Sequence, residues 1–108
     1  MRPDHLKGHL DGLLLAVLED GPAHGYALIE EMRRRSGGTF DLPEGTVYPA
    51  LHRLEAAGLV ASRSTTVNGR ARRVYRVTRS GTRALAESRE DWRRFSSAVG
   101  AVLKVAPA

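Results

Sequence analysis

The arginines of this 108-residue chain are concentrated in one stretch, and they indicate binding of a polyanion. Between Ala61 and Ser80 there are six arginines and no acidic residue, whereas the whole chain has a formal net charge of +5. Such a cationic strip attracts nucleic acid by releasing its condensed counterions, and the planar guanidinium fits phosphate geometry. An anionic membrane and a merely solvated arginine face are the alternatives. The six are Arg63, Arg70, Arg72, Arg73, Arg76 and Arg79.

No residue pattern predicts catalysis, a metal or a cofactor, so the chain is not expected to be an enzyme. Cysteine is absent, which excludes disulfides, thiolate metal sites and cysteine nucleophiles. The sequence contains no nucleophile elbow, P-loop or glycine-rich dinucleotide turn. His5 and His9 have the i, i+4 spacing of a zinc pair, but only Asp4 and Asp11 lie nearby, and such pairs close to a terminus are usually exposed to solvent.

The composition is typical of one globular domain, with 42% hydrophobic and 27% charged residues. The longest apolar run, Leu13–Leu18, is far shorter than the roughly 20 residues that cross a bilayer. The first residues do not have the pattern of a secretory signal. A cytoplasmic protein without a membrane segment is therefore expected.

Three helices must position the chemistry of the first two thirds of the chain. Hydrophobic periodicity predicts them at Leu6–Asp20, Gly25–Ser36 and Thr46–Ala57. Because a proline inside a helix disrupts hydrogen bonding to the residue four positions earlier, Pro49 is expected to delay the third helix until Thr46. Three arginines, Arg33–Arg35, lie in the last turn of the second helix; they either offset the helix dipole there or contact phosphate directly.

A hairpin carries most of the arginines. Leu59–Ser64 and Arg70–Thr78 have strand patterns, and Asn68-Gly69 between them favours a two-residue turn, because both residues tolerate positive φ. On the second strand Arg73 and Tyr75 share one face, and Arg72 and Arg76 share the other.

A long helix from the N-cap Thr78 to about Lys104 ends the chain. Apolar residues follow a seven-residue repeat, which predicts an apolar seam along a helix of on the order of 40 Å. The seam either pairs with a second copy of the chain or folds back on the first helix. Five of its six positions are apolar and one is a serine: Leu85, Ser88, Trp92, Phe95, Val99 and Val102.

Three helices followed by a basic hairpin predict a mainly α (α+β) fold, the winged helix-turn-helix, with a two-stranded wing and a long C-terminal dimerisation helix. Residues 1–78 would form the DNA-binding domain and residues 79–108 the dimerisation helix, within one structural unit. In this fold the third helix enters the major groove and the wing contacts the flanking backbone.

Three sequence blocks resemble the PadR family of bacterial transcriptional regulators. They are the Leu6–Leu18 opening, the His24-Gly25-Tyr26 block and the GTVYPALHRLE block of residues 45–55, with a further likeness at Tyr75–Gly81. The resemblance spans Leu6 to Leu103 and is closest to the compact members with one C-terminal helix. It implies a homodimeric repressor, bound to an inverted repeat of double-stranded DNA, that in several members is released by a small aromatic or cationic compound.

The resemblance and the residue chemistry together define the expected site. Three residues have alternative roles. Arg53 can contact DNA or pair with an acidic side chain, and His52 is more typical of a packed or solvent histidine. Tyr26 either approaches the DNA backbone or packs on the first helix. Arg63 and Arg76 are secondary candidates, since either can lie on the wrong face. The expected DNA-binding residues are Thr46, Tyr48, Pro49, Arg53, Arg70, Arg72 and Arg73.

The dimer interface is expected at Leu85, Trp92, Phe95 and Val99, with Trp92 either in the dimer core or also in the wall of an effector cavity. The rival hypothesis is a protein-interaction module with only non-specific nucleic-acid affinity. The two differ in one observable, preference for a particular duplex.

Overall fold

The helices and strands follow one another in the order helix, strand, helix, helix, strand, strand, helix. A computed structural model describes residues 8–105. The elements are α1 (Leu10–Leu18), β1 (Ala23–His24), α2 (Gly25–Arg35), α3 (Glu44–Ala56), β2 (Val60–Val67), β3 (Arg70–Val77) and α4 (Arg79–Leu103). The strands form one antiparallel sheet in the order β1-β3-β2. This arrangement confirms the predicted winged-helix fold, to which it adds a third strand.

The core lies between the first three helices and the base of the sheet. Leu14, Leu28 and Leu51 come from different helices and are fully buried there, and Tyr75 joins them from the sheet. The three- and four-residue spacing of apolar residues predicts Leu13 on the buried stripe of α1; the structure instead buries Leu15 and covers Leu13 only partly. Burial of this apolar surface is the main force that holds the three helices together.

Two helix ends follow from glycines at positive φ. Gly37 and Gly58 have φ of 60° and 77°, and the amide after each donates to the carbonyl five residues earlier. This pattern is the Schellman motif, which satisfies the last carbonyls of a helix. The predicted stops of the second and third helices are therefore correct to within one residue.

One predicted helix start and one predicted end are wrong. α3 begins at Glu44 rather than Thr46, because the Pro43 carbonyl accepts from the amides of Thr46 and Val47 and so caps the helix two residues earlier. Pro49 sits inside this helix; its missing amide falls on the exposed side. The first helix ends at Leu18 rather than Asp20, because Gly21 turns the chain at a φ of 143°. Gly8 and His9 form a turn before it, and Leu6 lies outside the described residues.

The hairpin is longer than predicted. Asn68 and Gly69 have φ of 51° and 76°, the conformation of a two-residue turn, as predicted. Residues 65–67, expected in the loop, continue β2 and pair with β3, with Val67 opposite Arg70. The two eight-residue strands thus form a wing that extends beyond the core.

The last helix agrees with its prediction. Thr78 is the N-cap, its Oγ1 accepting from the Gly81 amide at 3.1 Å, and Lys104 ends the helix at a φ of 60°. Within residues 8–105, no helix is long and apolar enough to cross a membrane.

Candidate nucleic-acid interface

A groove of about 350 Å³ lies between the N-terminus of α2, α3 and the outer part of β3. β1 pairs with β3 only at Val74 and Tyr75, so the edge of β3 beyond them is left open toward α2. Of the described residues that line the groove, none is acidic. They are His24, Gly25, Tyr26, Tyr48, Arg70, Ala71, Arg72 and Arg73.

Tyr48 links α3 to α2 inside this groove. Its ring lies against Gly25, so closely that a Cβ atom there would be 2.5 Å from the Tyr48 Cε1 atom. Only glycine allows this approach, which leaves Tyr48 half-buried. The structure thus brings Tyr48, a predicted site residue, together with three predicted wing arginines.

The other predicted residues of the third helix have different surroundings. Pro49 is exposed and Thr46 is half-buried. Arg53 forms an ion pair with Asp11, Nη2 to Oδ1 3.6 Å, which is the acid-pairing alternative left open by the sequence. His52 is exposed, in line with the solvent alternative.

The wing arginines divide between two faces of the hairpin. Buried Tyr75 marks the inner face, and Arg73 shares it. Arg70, Arg72 and Arg76 lie on the outer face, where the register adds Arg63 opposite Val74. All of these arginines are exposed. Arg63 and Arg76 therefore share the face of Arg70 and Arg72, whereas Arg73 does not.

Two residues of the groove are not among the DNA-binding residues that the sequence predicts. Tyr26, for which the sequence leaves open packing on the first helix or an approach to the DNA backbone, is 58% exposed and lines the groove. His24 also lines it, and its Nδ1 atom is buried and has no hydrogen-bond partner among the described residues. Both residues lie beside the wing because β1 pairs with β3 and so fixes the start of α2 there. A strand of two residues is too short to be recognised from periodicity, so the sequence gives no signal for this placement.

The arginines at the end of α2 are already paired. Arg33 bonds to Glu30 and Asp41, while Arg34 and Arg35 both bond to Glu31. Hydrogen bonds donated by Arg34 and, to a smaller extent, by Arg35 lower the pKa of Glu31 from its ordinary 4.5 to about 2. Because these arginines are already paired with acidic side chains, the structure favours their role in offsetting the dipole at the end of α2 over direct contact with phosphate.

The first half of α4 packs on α1 of the same chain. Leu85 is 2% exposed in the core, so it is removed from the expected dimer interface. The approach requires Gly12, since a Cβ atom there would be 2.9 Å from Ser88 Cβ. Both Nη atoms of Arg89 donate hydrogen bonds to the Glu19 carboxylate, at 2.9 and 3.1 Å, and these bonds lower the pKa of Glu19.

The second half of α4 leaves its apolar face exposed. Trp92 and Phe95 are 53% and 54% exposed, and Val99 and Val102 are exposed beyond them. The ring centroids of Trp92 and Phe95 are 6.0 Å apart, and His9 contacts Trp92 edge-on at 5.6 Å. Of the two histidines with the spacing of a zinc pair, His5 lies outside the described residues, and residues 8–105 contain no group of three or more histidine, aspartate or glutamate side chains that could hold a metal ion.

Comparison with known proteins gives consistent matches along most of the chain. Residues 14–87 match the model of the transcriptional regulator PadR-like family. A transcriptional regulator of Mycobacterium tuberculosis is 49% identical over 70 residues, 65% of this chain and 63% of the relative, so the match spans less than two thirds of that protein.

Solved structures resemble the fold. A PadR family transcriptional regulator from Eggerthella lenta has a TM-score of 0.82 and 32% identity over 95% of this chain and 88% of its own. Bacillus subtilis PadR in complex with operator DNA has a TM-score of 0.67 over 72% of this chain and 45% of its own; at 24% identity it supports the fold alone.

Proposed function

Since this chain belongs to the PadR-like family of transcriptional regulators, we propose that it is a homodimeric repressor that reads an inverted repeat in double-stranded DNA. In this proposal α3 is the recognition helix and the β2–β3 hairpin contacts the flanking backbone. The second half of α4, from Trp92 onward, supplies the dimer contacts.

The observation that carries the DNA-binding role is the groove beside the wing. Its charged side chains are all arginines, two tyrosines line it, and one of these, Tyr48, belongs to α3. Arginine forks and tyrosine hydroxyls are common ligands of phosphate oxygens. A duplex whose backbone enters this groove brings its major groove toward α3.

On α3, Thr46 and Pro49 are the proposed base contacts. Thr46 can hydrogen-bond a base edge, and the exposed ring of Pro49 can press on a thymine methyl group. Tyr48, the residue before Pro49, lines the groove and is proposed to bind phosphate. Arg53 is left to its ion pair with Asp11.

A competition gel shift tests this proposal. The duplexes are fragments of the protein's own promoter region, with an excess of unrelated DNA. We expect one fragment to be retained. Replacing both Arg70 and Arg72 with alanine should weaken its binding and flatten the slope of log affinity against log salt by about 1.8, since each phosphate contact contributes about 0.9. Equal competition by every fragment would favour the interaction-module hypothesis.

The exposed half of α4 supports the homodimer. A 25-residue helix that covers its apolar face over only half its length leaves two aromatic rings and several aliphatic side chains in water. A second copy of the same face covers them and places two recognition helices on one duplex.

The aromatic cluster supports a small effector. Trp92, Phe95 and His9 present rings with centroids 5.6 to 6.2 Å apart, a surface on which a planar aromatic or cationic compound can stack. Trp92 is the single tryptophan, so its fluorescence reports on this cluster alone. Titration with a planar aromatic cation such as ethidium, without DNA, should quench it saturably; a linear, collisional response would contradict the proposal.

A further inference from the structure

The wing requires a connection that fixes its angle, because much of its length lies outside the core. From Arg63 to Arg73 the hairpin residues are exposed except for Thr65. β2 is an edge strand, so its outer side has no strand neighbour. A long two-stranded hairpin is only marginally stable by itself. Whatever holds its base to α3 also determines where its arginines lie relative to that helix.

Three side chains form such a connection. Glu55, in the last turn of α3, accepts two hydrogen bonds at Oε2 from Ser62 of β2: one from the Ser62 amide at 3.1 Å and one from its hydroxyl at 2.6 Å. The Ser62 hydroxyl in turn accepts from Arg73 Nη1 of β3 at 3.0 Å. The chain Glu55–Ser62–Arg73 therefore ties the helix to both strands of the wing.

The charges at this connection make it stronger than an ordinary hydrogen bond. The acceptor is a carboxylate and the terminal donor is a guanidinium, and charge-assisted bonds are shorter and about twice as strong as neutral ones. Glu55 and Ser62 are both partly buried, so water competes less for them than for a surface pair. The stretch 61–80 has no acid, so α3 supplies the carboxylate.

Arg73 differs in this respect from its neighbour Arg72. Both are exposed, but they lie on opposite faces of β3. Arg73 is hydrogen-bonded through Nη1, whereas among the described residues Arg72 makes neither a side-chain hydrogen bond nor an ion pair. The pair is a matched comparison of a guanidinium that is held with one that is free for phosphate.

We propose that Glu55, Ser62 and Arg73 form a positioning relay that fixes the angle between the recognition helix and the wing. The proposal rests on the DNA-binding role given above, and it assigns Arg73 a different part from the phosphate contact expected from its sequence. Ser62 is the central member, since its hydroxyl is both donor and acceptor. The relay holds the arginines of the outer face at a fixed position relative to α3, and therefore relative to the DNA major groove that α3 enters.

Hydrogen exchange tests the relay without DNA. Replacing Glu55 with alanine removes the acceptor of the Ser62 amide, whereas replacing it with glutamine leaves an oxygen there. We expect the amide of Ser62 to exchange roughly tenfold faster in Glu55→Ala, as for loss of one bond to a charged group. Glu55→Gln should exchange close to the parent rate, and the amides of the β2–β3 ladder should not change. Equal exchange at Ser62 in all three proteins would overturn the relay.

Binding to a duplex tests its purpose. The probe is a fluorescent duplex selected by the parent protein from a random pool, and anisotropy is measured over a range of KCl concentrations. Ser62→Ala and Arg73→Ala should each weaken binding about tenfold with a nearly unchanged salt slope, and Ser62→Thr should restore affinity. Arg72→Ala should flatten the slope by about 0.9.

Two outcomes separate this proposal from the function on which it rests. A salt slope that falls by about 0.9 in Arg73→Ala, with Ser62→Ala binding normally, would overturn the positioning role and make Arg73 a phosphate ligand. Failure to select any duplex would refute the DNA-binding function instead, and the exchange of the Ser62 amide would still decide whether α3 and the wing are linked.

Discussion

Gly25 and Tyr48 show, at the scale of single residues, how the groove depends on a missing side chain. The sequence blocks single out each of them, but their contact depends on how α2 packs against α3, which no local pattern encodes. A Cβ atom at residue 25 would meet two ring atoms of Tyr48 and its hydroxyl oxygen at 2.5 to 2.8 Å. The ring of Tyr48 must therefore move if residue 25 becomes larger.

We expect Gly25→Ala to weaken binding of a selected duplex about tenfold and to lower the free energy of unfolding by about 1–3 kcal/mol, the usual cost of overpacking. Anisotropy and urea unfolding measure the two effects. Ala27→Ser, at an exposed position of the same helix, is the control. Parent-like affinity in Gly25→Ala would mean that the position of Tyr48 is immaterial.

Glu31 gives a pH dependence with a definite sign. Its pKa falls from the ordinary 4.5 to about 2 in the folded chain. The stabilisation by Arg34 and Arg35 is thus present above pH 4.5 and is lost as the pH falls toward 2. We expect the difference in Tm between the parent and Glu31→Gln to shrink across this window, and to be small in high salt, since the pairs are exposed. A difference independent of pH would contradict this explanation.

At the scale of elements, the sequence predicts the helices that have a hydrophobic period and the turns and helix ends that glycine marks. It does not predict a strand that forms only by pairing with a distant part of the chain. Asn68, Gly69 and Gly58 are residue types that tolerate positive φ, so the turn of the hairpin and the end of α3 can be predicted from the sequence. β1 has only two residues and exists because Ala23 lies opposite Tyr75. The start of α3 was misplaced because the capping role of the Pro43 carbonyl outweighs the cost of Pro49 inside the helix.

The junction of the wing with α4 leaves no room for a side chain at Gly81. A Cβ atom there would be 2.0 Å from the Leu59 carbonyl oxygen and 2.7 Å from Val77 Cγ2. We expect Gly81→Ala to lose about 1–3 kcal/mol of unfolding free energy, because backbone atoms must shift. Gly45→Ala is the matched control: this helical glycine has open space, so alanine should stabilise by up to about 1 kcal/mol. Urea unfolding of both variants checks the contrast, and a stable Gly81→Ala would contradict it.

At the scale of the whole molecule, the described residues extend over 54 × 28 × 21 Å, and the 25-residue helix α4 is by itself about 37 Å long. Sequence reasoning offered pairing with a second copy or return to the first helix as alternatives. The structure divides α4 between them: its first half lies on α1, and its second half leaves Trp92 and Phe95 exposed. Periodicity could not show where the division falls, because the same seam continues through both halves.

Trp92→Glu is expected to give monomers, since it places a charge in the proposed interface. Sedimentation should show this directly. Affinity for a two-site duplex should fall at least about a hundredfold, because half-sites about 34 Å apart are read by two linked copies. Ser97→Glu adds the same charge on the other side of α4 and should remain dimeric. An intact Trp92→Glu dimer would exclude this face as the interface.

Thr78 is the single residue between β3 and α4, and its hydroxyl is bonded on both sides: it donates to the Gly58 carbonyl at 2.6 Å and accepts from the Gly81 amide at 3.1 Å. The first turn of α4 is thereby held against the residue that ends α3 and against the base of the sheet, with no flexible linker between them. If an effector binds at Trp92 as proposed, a change in the direction of α4 is expected to reach the hairpin through this residue.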